Sequence, residues 1–245
     1  MSLLNILHKT PSLAGVDPAE LAKMANAASV RTLQRGAFVW RAGDSPQSLT
    51  IIRSGLVKIS REAVNGRVHL CGLFGAPESI GDVVLLRSSP YPANAIVATD
   101  TACIVSIPRN LVLETISRSP ALAVSVACST HKKLEMLHDK IEILGAGAVE
   151  ARLATALLKL HAEFGDELED GTSFIPVALS RRELAELVST SFETAIRIMS
   201  RWEHEGVLTT HDRGFTLFKI ATLERVGGVA QSHAAEVVST PWHSQ

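Results

Sequence analysis

The sequence predicts an α+β chain: a β-rich first half, then a helical second half that ends in a winged helix-turn-helix. Three observations carry this prediction. Residues 36–107 read as short strands broken by turns, in "GAFVWRAGDS", "LTIIRSGLVKIS", "REAVNGRVHLCGLF" and "ANAIVATDTACIVSI". After Pro108 the apolar residues recur at spacings of three and four. Finally, "LSRRELAELVSTSFETAIRIMSRWEHEGVL", residues 179–208, holds two amphipathic helices separated by a three-residue turn.

A chain of 245 residues with 46% hydrophobic content can fill one large or two modest cores. No apolar run is long enough to span a bilayer, and "MSLLNILHKTPSL" has neither the apolar core nor the cleavage site of a signal peptide, so a cytoplasmic protein is expected. Cys71, Cys103 and Cys128 are too widely spaced for a disulfide framework or a zinc ribbon. The net charge of -1 means that contact with nucleic acid depends on local charge placement.

Taken in order, "DPAELAKMANAAS", residues 17–29, opens with an acidic residue and keeps helical spacing, so a short helix leads into the strands. Asn65-Gly66 lies between Val57 and Ile59 on one side and Val68 and Leu70 on the other, the signature of a β-hairpin. Within residues 120–144, Ala127, Thr130, Leu134, Leu137, Ile141 and Leu144 form an apolar seam that suits either a two-stranded coil or packing within the domain. "GAGA" at 145–148 reads as a hinge before an amphipathic helix from Val149 to Phe164, and "GDELEDGTS" as a loop.

Ser180 followed by Glu183 is a capping box that starts the first helix of the pair, and Ser191 caps the second. Ala195, Ile198, Met199 and Trp202 form the inward face of the second helix. Ser189 occupies a turn position where glycine is usual, which predicts a left-handed backbone there. "GVLTTHDRGFTLFKI" then supplies two short strands joined at Asp212, Arg213 and Gly214, a wing.

On this arrangement Ser191, Glu193, Thr194 and Arg197 face outward at the start of the second helix, where side chains meet base edges in a major groove. A glutamate accepts from cytosine N4 and an arginine grips guanine O6 and N7, so Glu193 and Arg197 suit a G·C pair. The competing reading is an i,i+4 ion pair on a solvated face. Arg181, Arg182 and Arg201 are candidates for phosphates, although residues 180–215 hold five basic and six acidic side chains.

With these residues in view, the chain resembles the CRP/FNR family of bacterial transcription regulators over about residues 15–225. The resemblance runs through "RGAFVWRAGDSPQSLTIIRSGLVKI", through "SIGD", and through "SFETAIR", which follows the family's recognition-helix pattern. It implies an N-terminal cyclic-nucleotide-binding-like β-roll (a double-stranded β-helix) over 1–117, a long dimerisation helix and hinge over 118–147, a winged helix-turn-helix over 148–228 and a tail over 229–245. It also implies a homodimer that reads an inverted repeat in double-stranded DNA, with RNA polymerase as a further partner. Phe192 stands where the cyclic AMP receptor protein has arginine, so an apolar contact with a thymine methyl is expected there.

The resemblance places an effector pocket at Ile59, Cys71, Gly72, Gly81, Asp82, Ala93, Asn94, Leu137 and His138. Cyclic-AMP-binding members have an arginine at the position of Ala93 to pair with the cyclic phosphate, which argues against cyclic AMP here; Arg87 in the preceding loop is the remaining cation. An iron-sulfur cluster needs four cysteines, mostly near the N-terminus, and the chain has three, none before Cys71. Haem would need an axial ligand, for which His8, His69, His131 and His138 are the candidates. A small-molecule or gas effector is therefore left open. The alternative function is a nucleotide-binding regulatory module of an enzyme or channel, which would not need "SFETAIR" and a wing. There is no phosphate-cradling glycine loop, nucleophile elbow or metal-ligand spacing to suggest an enzyme.

Overall fold

In the computed structural model, which describes residues 2–62, 68–87, 89–169 and 171–228, the α+β class and the winged helix-turn-helix are as the sequence predicts. Two helices lead in: α1 (Leu3–Lys9), and α2 (Pro18–Ala27), where the Asp17 carboxylate accepts from the Ala19 N–H at 2.8 Å and Pro18 fills the first turn. The β-roll follows as β1 (Ser29–Gln34), β2 (Phe38–Trp40), β3 (Ser48–Ser54), β4 (Leu56–Glu62), β5 (Val68–Gly75), β6 (Ser79–Ile80), helix α3 (Asp82–Arg87), β7 (Asn94–Val97) and β8 (Thr101–Pro108). Its strands form two antiparallel sheets, in the orders β1-β8-β3-β6 and β2-β7-β4-β5. Ile52 and Ile104 from the first sheet meet Val57, Ala95 and Val97 from the second in a core closed to solvent.

β4 and β5 pair antiparallel from Leu56↔Gly75 to Glu62↔Val68, as the hairpin reading requires; Asn65 and Gly66 lie outside the described residues, as does the tail. Gly55 joins β3 to β4 at φ +78°, and a Cβ there would collide with the Thr101 carbonyl oxygen, so only glycine fits. The sequence reading began the strands at Gly36 and missed β1. Five of the six β1 residues are exposed, so its burial never alternates; the strand is held by antiparallel pairing with β8.

Helix α4 (Arg109–Arg118) turns the chain into α5 (Pro120–Gly145). Leu122, Val126 and Ile143 bury one side of α5, whereas Val124, Leu134, Leu137, Ile141 and Leu144 stand 38–66% exposed. Of the seam, Ala127, Leu134, Leu137, Ile141 and Leu144 thus face outward, with Val124 beside them, and Thr130 is half-buried. Gly147, at φ +80°, sits in the break before α6 (Val149–Phe164).

The last unit comprises α6, β9 (Asp166–Glu167), β10 (Ser173–Ile175), α7 (Arg181–Leu187), α8 (Phe192–His204), β11 (Leu208–His211), β12 (Gly214–Leu217) and α9 (Ile220–Gly227). Its sheet runs β11-β12-β10-β9, so the wing predicted as two strands is widened by two more. Those two flank the acidic loop, with Ser173 pairing locally with Glu167 and, far along the chain, with Leu217, pairing that the loop's glycines and acids concealed. Trp202, Phe215, Met199, Leu157 and Leu184 fill the core of this unit, and Leu56, Leu70 and Leu73 of the β-roll join the same cluster. The docking is also polar: Lys58 on β4 pairs with Glu183 on α7, and Arg35 donates to the carbonyl of Asp212 in the wing. Among the described residues no single helix is long and apolar enough to cross a membrane.

Candidate nucleic-acid interface

Helix α8 is positioned from its sequence upward. The Ser191 hydroxyl accepts from the Thr194 N–H at 3.2 Å and meets the Thr194 hydroxyl at 3.0 Å, which fixes the first turn. Ala195, Ile198, Met199 and Trp202 are buried, as the periodicity predicted, and so hold the opposite face out. Ahead of it the Ser180–Glu183 capping box is formed, with the Ser180 N–H donating to the Glu183 carboxylate at 2.8 Å. Ser189 has φ +53°, the one non-glycine residue with positive φ among the described residues, as its place in the turn requires. The Arg152 guanidinium on α6 donates to the Val188 carbonyl at 2.8 Å beside this turn, a brace that no local sequence signal indicated. Relief of the left-handed backbone predicts that Ser189→Gly raises the unfolding free energy by about 1 kcal/mol, measured by denaturant titration; a lower stability would contradict it.

Glu193 and Arg197 are both exposed on the outer face. Among the described residues the two do not pair with each other, so the i,i+4 ion pair that competed with base reading is not formed. Arg182 lies with its guanidinium carbon 4.7 Å from the centre of the Phe192 ring, which holds the cation at the start of α8. The other two arginines expected at phosphates are already engaged. Arg181 donates to Ser200 at 2.8 Å and pairs with Glu203 at 2.5 Å, tying α7 to α8. Arg201 pairs with Glu150 of α6, and Glu205 lies 3.9 Å away. Arg181 is partly buried and Arg201 is more open, so a phosphate would compete with a carboxylate at either.

The residues expected to line an effector pocket divide. Ile59, Gly81, Asp82 and Ala93 surround one cavity of about 220 Å3, together with Trp40, Phe74, Tyr91 and Lys133, which the sequence reading missed. Cys71 and Gly72 instead line a crevice of about 70 Å3 between β5, α5 and α6. The Asn94 amide oxygen accepts from the Ala42 N–H at 2.8 Å and serves a turn. Leu137 and His138 lie on α5 and Arg87 is exposed at the end of α3, all three outside the cavity lining. Lys133 could not be found from local pattern, because a polar residue in α5 gives no sign that it reaches the β-roll.

The cavity does not fit a cyclic phosphate. Ala93 brings no charge, and the Lys133 ammonium is held 2.6 Å from both oxygens of the buried Asp82 carboxylate, which also accepts from Ser79 at 3.1 Å. Nor does an axial ligand for haem face it, since none of His8, His69, His131 and His138 lines the cavity. Among the described residues no group of histidine, cysteine and carboxylate side chains is arranged to hold a metal ion.

Comparison with known proteins places two family patterns on this geometry. The cyclic nucleotide-binding domain matches residues 30–119, and the Crp-like helix-turn-helix domain matches residues 151–226. The chain is 27% identical to a "CRP-like cAMP-activated global transcriptional regulator" of Mycobacterium tuberculosis, over 82% of this chain and 89% of the relative. It is 30% identical to a "Probable transcriptional activator" of Rhizobium leguminosarum bv. viciae, over 73% of this chain and 72% of the relative. Its fold superposes on that of a CRP-family transcriptional regulator from Thermus thermophilus with a TM-score of 0.68 at 20% identity, covering 81% of this chain and 96% of that one.

Proposed function

The chain belongs to the CRP/FNR family of bacterial transcription regulators, and from that premise we propose that it works as a homodimer that reads an inverted repeat in double-stranded DNA under the control of an effector in its β-roll. The observation that carries this reading is the outer face of α8. Glu193 and Arg197 stand there one turn apart and not paired with each other, on a helix whose other face is locked into the core. Side chains so held can meet a cytosine N4 and a guanine O6/N7 without first breaking an ion pair between themselves. Arg182, backed by Phe192, is the phosphate contact best placed beside them. Phe192 lies under that cation, so a thymine methyl would be met by the part of its ring that remains open.

The seam on α5 supports the dimer. Val124, Leu134, Leu137, Ile141 and Leu144, exposed along one helix, need a second apolar surface, and a second copy of α5 supplies it by two-fold symmetry. Two α8 helices would then face successive major grooves, with RNA polymerase recruited or blocked beside them. A regulator of this kind acts in the bacterial cytoplasm.

Effector control acts through the contacts between the two halves. Lys58 on β4 pairs with Glu183, which is also the capping residue of α7, so a shift of the β-roll pulls on the first helix of the DNA-reading pair. The break at Gly147 lets α5 and α6 change angle. The test of the readout is Arg197→Ala, titrated by fluorescence anisotropy against duplexes recovered by binding. The expected result is a loss of about 1–3 kcal/mol confined to duplexes that carry the G·C pair. A uniform loss across all duplexes would make Arg197 a phosphate contact instead.

A further inference from the structure

The cavity in the β-roll is built around an aromatic stack where a nucleotide site would need charge. The Trp40 and Tyr91 rings lie 4.1 Å apart at their centres and 12° from parallel. The Trp40 indole N–H donates to the Ala93 carbonyl at 3.0 Å, which fixes the indole. Gly81, at φ +71°, makes room for the stack, since a Cβ there would come within 2.7 Å of the Tyr91 ring. Around these rings the lining is Ile59, Phe74, Val84 and Pro92, all apolar.

The charges beside the cavity cancel. Asp82 is only 3% exposed, and its carboxylate holds Lys133 of α5 at 2.6 Å. The Tyr91 phenol is pushed up to about 12 by burial, with Asp44 and Asp82 adding to the effect, so it stays neutral at any physiological pH. An anion entering here would have to break a buried ion pair, and a cation would meet a carboxylate already satisfied. Size is equally restrictive. The volume of about 220 Å3 exceeds the roughly 150 Å3 that accepts benzene in an engineered cavity of another protein, and falls below the roughly 300 Å3 at which pockets for drug-sized ligands begin.

We infer that this cavity takes a small, neutral, mainly apolar effector of about one ring, seated against the Trp40–Tyr91 stack. The inference rests on the reading of the β-roll as the sensing half. The ligand would sit beside the Asp82–Lys133 pair, which joins α3 to α5, so its arrival bears directly on the helix that carries the dimer seam.

The test is calorimetric titration of the full chain with phenol, indole and cyclic AMP, alongside thermal melting. Phenol or indole is expected to bind saturably and raise Tm by several degrees, with cyclic AMP giving no binding. Val84→Phe fills the cavity from its edge, and Ala93→Arg brings a charge into it. Each is expected to weaken the aromatic probe by about tenfold or more. If one variant melts well below the parent chain, the other carries the comparison. No binding of either aromatic probe, binding unaltered in a folded variant, or binding of cyclic AMP tighter than both probes would overturn the inference. DNA is absent from this experiment, so its failure leaves the DNA-reading proposal standing, and failure of the DNA experiments would leave a bound probe unexplained by regulation but still bound.

Discussion

Replacing Leu134 and Ile141 together by aspartate is expected to give a folded monomer that has lost about 10²–10⁴-fold of its affinity for an inverted-repeat duplex. The folding part follows from exposure: Leu134 is 49% and Ile141 66% exposed, so neither supports the protomer's own core, where α5 uses Leu122, Val126 and Ile143. The association part follows from symmetry. At a two-fold seam each substitution appears twice, and carboxylates buried against one another cost far more than the leucine and isoleucine contacts they remove. The affinity part follows from valence, since a monomer presents one α8 and forfeits the effective concentration that tethering gives the second. Sedimentation velocity reads the mass and anisotropy reads the affinity. A dimer that survives both substitutions would show that α5 packs elsewhere.

Trp202→Ala is expected to destabilise the winged helix by about 3–5 kcal/mol. Trp202 is 1% exposed and lies among Met199, Phe215, Leu157 and Leu184, so its removal leaves a void that no single neighbour fills. Its indole N–H also donates to Glu150 at 3.2 Å, and Glu150 in turn holds Arg201, so the substitution loosens the tie between α6 and α8 as well. Denaturant unfolding followed by circular dichroism measures the loss, and Trp202→Phe should recover a large part of it because the ring volume is mostly restored. A cost below about 1 kcal/mol would mean that the core around α8 is looser than its burial indicates.

The DNA-reading half was largely legible in the sequence, for a physical reason. Its determinants are local: the 3.6-residue period of Ala195, Ile198, Met199 and Trp202, the capping box at Ser180 and Glu183, and the turn at Ser189 each act within a few residues. The β-roll strands were legible where apolar residues alternate, and lost where they do not, as in the exposed β1. The acidic loop hid β9 and β10 because β10 pairs with β12, where Leu217 lies far along the chain from its partner Ser173, and the two-residue β9 pairs only with β10. The cavity in the β-roll was the least legible part. It joins Trp40, Asp82, Tyr91 and Lys133 from separate segments, and resemblance picked out Asp82 of these, with Ile59, Gly81 and Ala93 beside it. Resemblance also carried Cys71, Gly72, Leu137 and His138 into the pocket, and the structure distributes them between a separate crevice and the part of α5 that does not line the cavity. Nor could charge counting show that Arg181 and Arg201, expected at phosphates, engage their guanidinium groups with Glu203 and Glu150 within the domain.

The most direct test of the account is selection of the full chain against a pool of random duplexes at low salt, where phosphate contacts are strongest. The expected result is enrichment of an inverted repeat whose half-sites are centred about one helical turn, roughly 34 Å, apart, with a G·C pair in each half at the position read by Glu193 and Arg197. Recovery of no common sequence, or of a single half-site without its mirror, would contradict a two-fold dimer reading DNA through α8.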